Sequence, residues 1–143
     1  MPIQQGATNA FKLGLTDGTF DFNTDTFKIA LYTGAANIGA DTAAYTTTGE
    51  TSGTGYVAGG NALTVSVAPT FGAVPSNTTL YLSFDNVTWS PAAFTARGAL
   101  IYKVGGGNPT VCVLDFGGDK TATTTFTVQF PTANSTNAII RIA

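Results

Sequence analysis

From Phe27 to the C-terminus, apolar and polar residues alternate with a period of two, the pattern of strands that bury one face. Phe27, Ile29 and Leu31 point one way, and Lys28, Ala30 and Tyr32 point the other. The same pattern recurs at Leu63, Val65 and Val67, at Leu80, Leu82 and Phe84, and at Phe126, Val128 and Phe130. Gly, Pro, Asn or Asp bounds each run, as turns require. Thr95 to Val104 and Thr110 to Phe116 are more continuously apolar, which predicts central strands covered on both faces. Ala138 to Ala143, carrying Ile139, Ile140 and Ile142, makes a short terminal strand. Pro69, Pro75, Pro91, Pro109 and Pro131 all fall at ends of apolar runs, as expected of strands that they would otherwise disrupt.

One segment reads as a helix. Asn9 to Leu15 places Phe11 and Leu15 at i and i+4, offers Thr8 or Asn9 as a cap, and meets Asp17-Gly18 where a helix would stop. The stretch 33–61 has a different texture: it is small, polar and rich in glycine, and it runs nearly thirty residues between two good strands. Loops beyond about 12–15 residues are usually functional or mobile, so this one is the leading candidate for contact with another molecule. A connection that merely crosses the end of a sandwich is the competing reading. Seven or eight short strands and one short N-terminal helix predict a single all-β domain over 1–143, an antiparallel β-sandwich. A jelly roll and an immunoglobulin-like arrangement both fit, although the paired cysteines of antibody domains are missing.

Composition narrows the chemistry. Charged residues make up 10% of the chain against about 25% in ordinary domains, and there is no histidine. A serine or cysteine nucleophile would lack its usual base, and a glycosidase pair would have to come from eight scattered acids. The inventory therefore predicts no enzyme, no catalytic residue, no cofactor and no metal. Four lysines and two arginines, dispersed along the chain, make no basic patch for a phosphate backbone, so nucleic acid is not an expected direct ligand. No basic segment followed by an apolar run opens the chain, and no apolar stretch approaches 18 residues, so neither a secretory signal nor a membrane span is expected. Cys112, the single cysteine, sits in an apolar run and reads as a buried small hydrophobe in a chain made in a reducing compartment.

Local motifs add little. Gly53-x-Gly55-x-x-x-Gly59 is followed by a strand where a dinucleotide fingerprint needs a helix. Asp115-Phe-Gly117 matches a kinase magnesium motif only as a tripeptide, and with Asp119 and Lys120 it reads as turn chemistry. Asp21-x-Asn23-x-Asp25 resembles the opening of a calcium loop, but Thr26 stands where glycine is required and Tyr32 where glutamate is; an Asx-turn cluster explains it without metal. The Asn-x-Thr triplets at Asn77, Asn86 and Asn134 arise readily in a threonine-rich chain. Most tyrosines belong at core edges, whereas Tyr45 and Tyr56 lie in a loop with no evident core of its own and are expected to face a partner.

Five segments together carry a resemblance: Thr26-Phe-Lys-Ile-Ala-Leu-Tyr-Thr33, Gly53-Thr-Gly-Tyr-Val-Ala-Gly-Gly-Asn-Ala-Leu63, Thr95-Ala-Arg-Gly-Ala-Leu-Ile-Tyr102, Val113-Leu-Asp-Phe-Gly-Gly-Asp-Lys120 and Phe126-Thr-Val-Gln-Phe-Pro131. In order and over most of the chain, they resemble small structural proteins of tailed bacteriophages. The resemblance implies a non-enzymatic virion component, most like a capsid decoration or cement protein on the outer surface of the head. Its implied partners are the major capsid protein and copies of itself, a trimer being natural at a three-fold junction, with no membrane contact. The expected contacts are the N-terminal arm (1–9) with Pro2, Ile3, Gln4 and Gln5, the loop residues Tyr45, Tyr56 and Val57, and one exposed strand edge. The alternative is a tail or head-fibre module that attaches to host glycans, which requires Tyr45, Tyr56 and Trp89 to share one exposed face.

Overall fold

In the computed structural model of the chain, the described residues are 3–72, 78–134 and 136–142. Pro2, Pro75, Asn77 and Ala143 lie outside them. Among the described residues, ten strands and one helix follow in the order β1 (Gly6–Ala7), α1 (Asn9–Asp17), β2 (Phe27–Tyr32), β3 (Asn61–Leu63), β4 (Val65–Phe71), β5 (Leu80–Phe84), β6 (Val87–Trp89), β7 (Phe94–Lys103), β8 (Thr110–Ala122), β9 (Phe126–Val128) and β10 (Ile140–Ile142). The protein is an all-β sandwich with one short N-terminal helix. Every pairing between these strands is antiparallel. A five-stranded sheet runs β1-β8-β7-β2-β3, a three-stranded sheet β10-β5-β4, and a two-stranded ribbon β6-β9.

The strand count exceeds the seven or eight expected because short pairings leave no periodic trace. The run Leu63, Val65, Val67 reads as one strand but divides at Thr64: β3 pairs with β2 in the large sheet, and β4 pairs with β5 in the smaller one. The chain thus switches sheets there, as corners of sandwiches commonly do. β8 also outruns its predicted end at Phe116, so Asp115, Asp119 and Lys120 lie within a strand and not on a turn. Gly117, at φ 80, and a register shift against β7 let the strand continue past the glycines.

The helix forms where its caps predict. Thr8 is the N-cap, its side chain accepting from Phe11 N–H, and Gly18 closes the other end in the left-handed region. Its buried face differs from expectation, however. Phe11 is buried, but Leu15 is 44% exposed, because Gly14 is the second buried position. A Cβ on Gly14 would lie 2.4 Å from the Phe20 ring, so this glycine is what lets that ring close over the helix.

The large sheet is covered on both faces. Phe27, Ile29, Leu31, Ile101 and Val111 face the main core, which also takes side chains from α1, both smaller sheets and an aromatic group of Phe11, Phe20, Phe22, Phe27 and Phe84. Ala30, Tyr32, Leu100, Tyr102 and Val113 face the opposite way into a second core with Ile3, Ala36 and Ile38. The alternation read from Phe27 to Tyr32 is therefore correct in direction, but neither direction is solvent.

Candidate partner-binding surface

The second core exists because the 33–61 segment folds back over the large sheet. Isolated bridges Tyr32↔Glu50, Ala44↔Pro109 and Thr54↔Ala93 stitch it down, and Ala36 and Ile38 are buried beneath it. This segment is a covering layer, so the expectation that it has no core of its own is overturned. The reason is polar and local. Glu50, the only glutamate in the chain, accepts hydrogen bonds from Tyr45 Oη at Oε2 (2.7 Å), Tyr56 Oη at Oε1 (2.6 Å) and Gly59 N at Oε1 (2.7 Å).

Around that carboxylate the phenols complete a network. Tyr56 Oη also accepts from Leu31 N (2.9 Å), Tyr102 donates to Gly59 O (2.7 Å), and Tyr32 donates to Thr46 O (2.6 Å). The Tyr45 ring stacks on Tyr102 with centroids 4.8 Å apart. Burial, reinforced by the nearby Glu50, pushes the hydroxyls of Tyr32, Tyr45 and Tyr56 well above the ordinary phenol range and raises that of Tyr102. At neutral pH these groups act as neutral donors to Glu50 and to backbone carbonyls.

Tyr45 and Tyr56, expected to face a partner, are thus half-buried and committed to the protein itself. Trp89 is 2% exposed and packs against Tyr56, Phe94 and Phe126. Its Nε1 has no hydrogen-bond partner among the described residues. The three rings expected of a glycan platform therefore do not form an exposed face. Val57 does remain at the surface, at 74% exposure, held on a loop whose backbone lies hard against β2. Gly60 makes that approach possible: at φ 77, a Cβ there would sit 1.8 Å from Ile29 O.

The N-terminal residues are similarly tied. Ile3 is buried in the second core, which corrects its assignment to a docking arm. Gln4 and Gln5 are exposed, but Gln4 N donates to Ile38 O (2.9 Å) and Gln5 Oε1 accepts from Asp115 N (3.0 Å). From Ile3 onward the arm is an edge of the large sheet, paired through Gly6↔Val113 and Ala7↔Cys112.

The remaining chemistry is structural. Asp21 Oδ1 accepts from Asn23 N and Asp25 Oδ2 from Asp21 N, while Asp25 also pairs with Lys103 at 3.2 Å. The oxygens of the Asp21-x-Asn23-x-Asp25 turn thus serve its own backbone. Hydrogen bonds to the Asn23 and Thr24 backbones and side chains hold the Asp21 carboxyl below its usual range. Among the described residues, no group of three or more Cys, Asp or Glu is arranged to hold a metal. Cys112 is buried, and desolvation pushes its thiol up to about 12.

What the sequence did not signal is a groove of about 590 Å³ between α1, the β1/β8 edge and β10. Phe11, Leu15, Ile140 and Ile142 make much of its apolar lining, and Lys12 and Arg141 are the charged residues among the described ones that line it. Leu15 and Ile142 remain 44% and 41% exposed there. The one available hint was the helix itself, where Leu13 and Leu15 cannot both share a buried face with Phe11 and Gly14. Comparison with protein-family models, curated proteins and solved structures finds no match.

Proposed function

We propose that this chain is a non-enzymatic structural protein of tailed-phage virions, a decoration or cement protein that binds the outer surface of the head and bridges neighbouring major capsid subunits. The observation that supports this reading best is how the chemistry is used. Glu50 and four tyrosines fasten a covering loop, Asp21 and Asp25 shape a turn, and Cys112 is sealed in the core. What the protein offers outward is a stiff frame with a projecting Val57 and an apolar groove beside strand edges. Such a frame binds by shape and backbone. The resemblance of five ordered segments to small phage structural proteins supplies the setting.

Low charge limits repulsion between closely spaced copies, and bridging two shell subunits makes the second contact intramolecular, so weak individual contacts suffice. Partners in this reading are the major capsid protein and other copies of the chain, with no direct contact to nucleic acid or membrane. The test is the position and copy number of the chain in purified particles, by quantitative mass spectrometry and labelled electron microscopy. Hundreds of copies on the head are expected. A dozen or fewer, or a location on the tail, overturns the reading.

A further inference from the structure

We infer that the end of the molecule where α1 meets β10 is a self-complementary face, through which two copies of the chain pair about a two-fold axis. Two hollows open there side by side. The first is the groove of about 590 Å³ between α1, β8 and β10. The second, of about 440 Å³, lies between the end of α1, the turn that follows it and the three-stranded sheet, with Phe20, Phe22, Pro69 and Leu80 on its walls. Phe11, Leu15 and Ile142 line both hollows and so form the divide between them. Phe11 is buried, whereas Leu15 and Ile142 are 44% and 41% exposed, which makes the divide an apolar strip open to solvent. Leu80, paired with Ile142 across the sheet, continues that strip into the second hollow.

The two hollows carry opposite charge. Lys12 lines the first and has no ion-pair partner among the described residues; Arg141 also lines it but is already engaged within the protein. Asp21 is the charged residue of the second, exposed, with Lys103 pairing to its neighbour Asp25 and not to it. A partner for such a face has to offer an apolar strip flanked by an acid and a base in reversed order. A second copy of the same face does so when the two-fold axis runs along the line from Leu15 to Ile142, because that rotation interchanges the hollows. Lys12 of each copy then faces Asp21 of the other, so the charge match is made twice, while Leu15 and Ile142 each meet their own counterpart. A partner of one charge sign would satisfy one hollow and oppose the other. In naming the face by which copies meet, the inference rests on the proposed role, where other copies of the chain are partners.

The test is sedimentation velocity of the full chain over a concentration series, where a monomer–dimer equilibrium is expected. Lys12→Glu should raise the dimer dissociation constant on the order of tenfold, the scale of two exposed charge pairs. Adding Asp21→Asn, which keeps the Oδ1 acceptor that the turn uses, should return part of that loss by removing the acid that the new glutamate opposes. Leu15→Glu, at a partly exposed position, should leave a monomer while Trp89 fluorescence reports an unchanged fold. Leu15→Cys should give a disulfide-linked dimer under mild oxidation, since the chain's own Cys112 is buried. A chain that stays monomeric to about 1 mM, the weak limit of specific association, overturns the pairing. So does a trimer, a dimer that Leu15→Glu leaves intact, or a Lys12→Glu loss that Asp21→Asn does not relieve. Co-sedimentation with expanded heads separates this face from the virion role. If the chain dimerises through the face but ignores heads, the virion reading fails and the face stands. If it is monomeric and Leu15→Glu abolishes binding to heads, another chain fills the face, and the pairing fails while the virion reading stands.

Discussion

Removing the Glu50 carboxylate tests whether one side chain holds the covering layer in place. In Glu50→Ala, Tyr45 and Tyr56 lose their acceptor and Gly59 N–H is left without its partner. Hydrogen bonds to a charged group contribute about 1.5–3 kcal/mol each, so three would give an upper bound near 9 kcal/mol. Glu50 is half-buried, and water replaces part of what is lost, which brings the expected destabilisation to about 3–5 kcal/mol. Tyr56→Phe cuts differently: it removes one bond to Glu50 and also orphans Leu31 N in a residue that is fully buried. Its expected cost is about 2–4 kcal/mol, from one lost charged bond and one unsatisfied buried donor.

The double mutant is the discriminating measurement. If Tyr56 and Glu50 act through their shared 2.6 Å bond, their coupling energy is about 1–3 kcal/mol, because the second truncation removes an interaction already broken. Urea unfolding followed by Trp89 fluorescence reads it directly, since that single, buried indole lies 6.3 Å from the Tyr56 ring. The m-value should stay constant, so that midpoints translate into stability. A coupling below about 0.5 kcal/mol, within ordinary additivity error, refutes the staple and leaves the layer held by apolar packing alone.

Alkali should destabilise the fold. Cys112 and the phenols of Tyr32 and Tyr56 hold their protons more tightly folded than unfolded, so stability is fully present below pH about 9 and falls as pH rises through the thiol and phenol ranges. At about 1.4 kcal/mol per group per pH unit the three together remove about 5 kcal/mol between pH 9 and 11; an unchanged urea midpoint at pH 11 contradicts this. Gly60→Ala should cost about 3 kcal/mol or more, since it joins a left-handed backbone to a collision with Ile29 O, whereas Gly106→Ala, with nothing within 4 Å, should cost about 1 kcal/mol; equal thermal shifts would contradict the packing argument. Val57→Asp should change stability by less than about 0.5 kcal/mol and weaken binding to heads, and unchanged co-sedimentation would remove that residue from the interface.

Much of the fold was legible because its strongest signals are local. Thr8 and Gly18 delimit α1 through cap chemistry that operates within a few residues, and the β2 alternation follows from the pleat alone. Errors arose where tertiary context decides. Thr64 marks a change of sheets that no alternation records, since Leu63, Val65 and Val67 keep one period across it. Leu15 was expected at the core because i+4 spacing is the usual helical face, and Gly14 displaced it by admitting the Phe20 ring.

The covering loop was misread for a related reason, and the correction changes where binding belongs. A segment rich in glycine and threonine has few side chains to bury, so composition alone marks it as a free excursion. Its order comes instead from one carboxylate that collects donors at positions 45, 56 and 59, and from a glycine that allows backbone to lie on backbone. No pattern of period two or 3.6 encodes such a hub. Tying Tyr45 and Tyr56 inward removes them as free contact groups and leaves Val57 as the projecting apolar residue of that turn. On the opposite side of the large sheet, burying Phe11 and Gly14 in place of Leu15 leaves an apolar wall on the groove between α1 and β10. The same close contacts that stiffen the frame therefore decide which apolar groups it can offer to another chain.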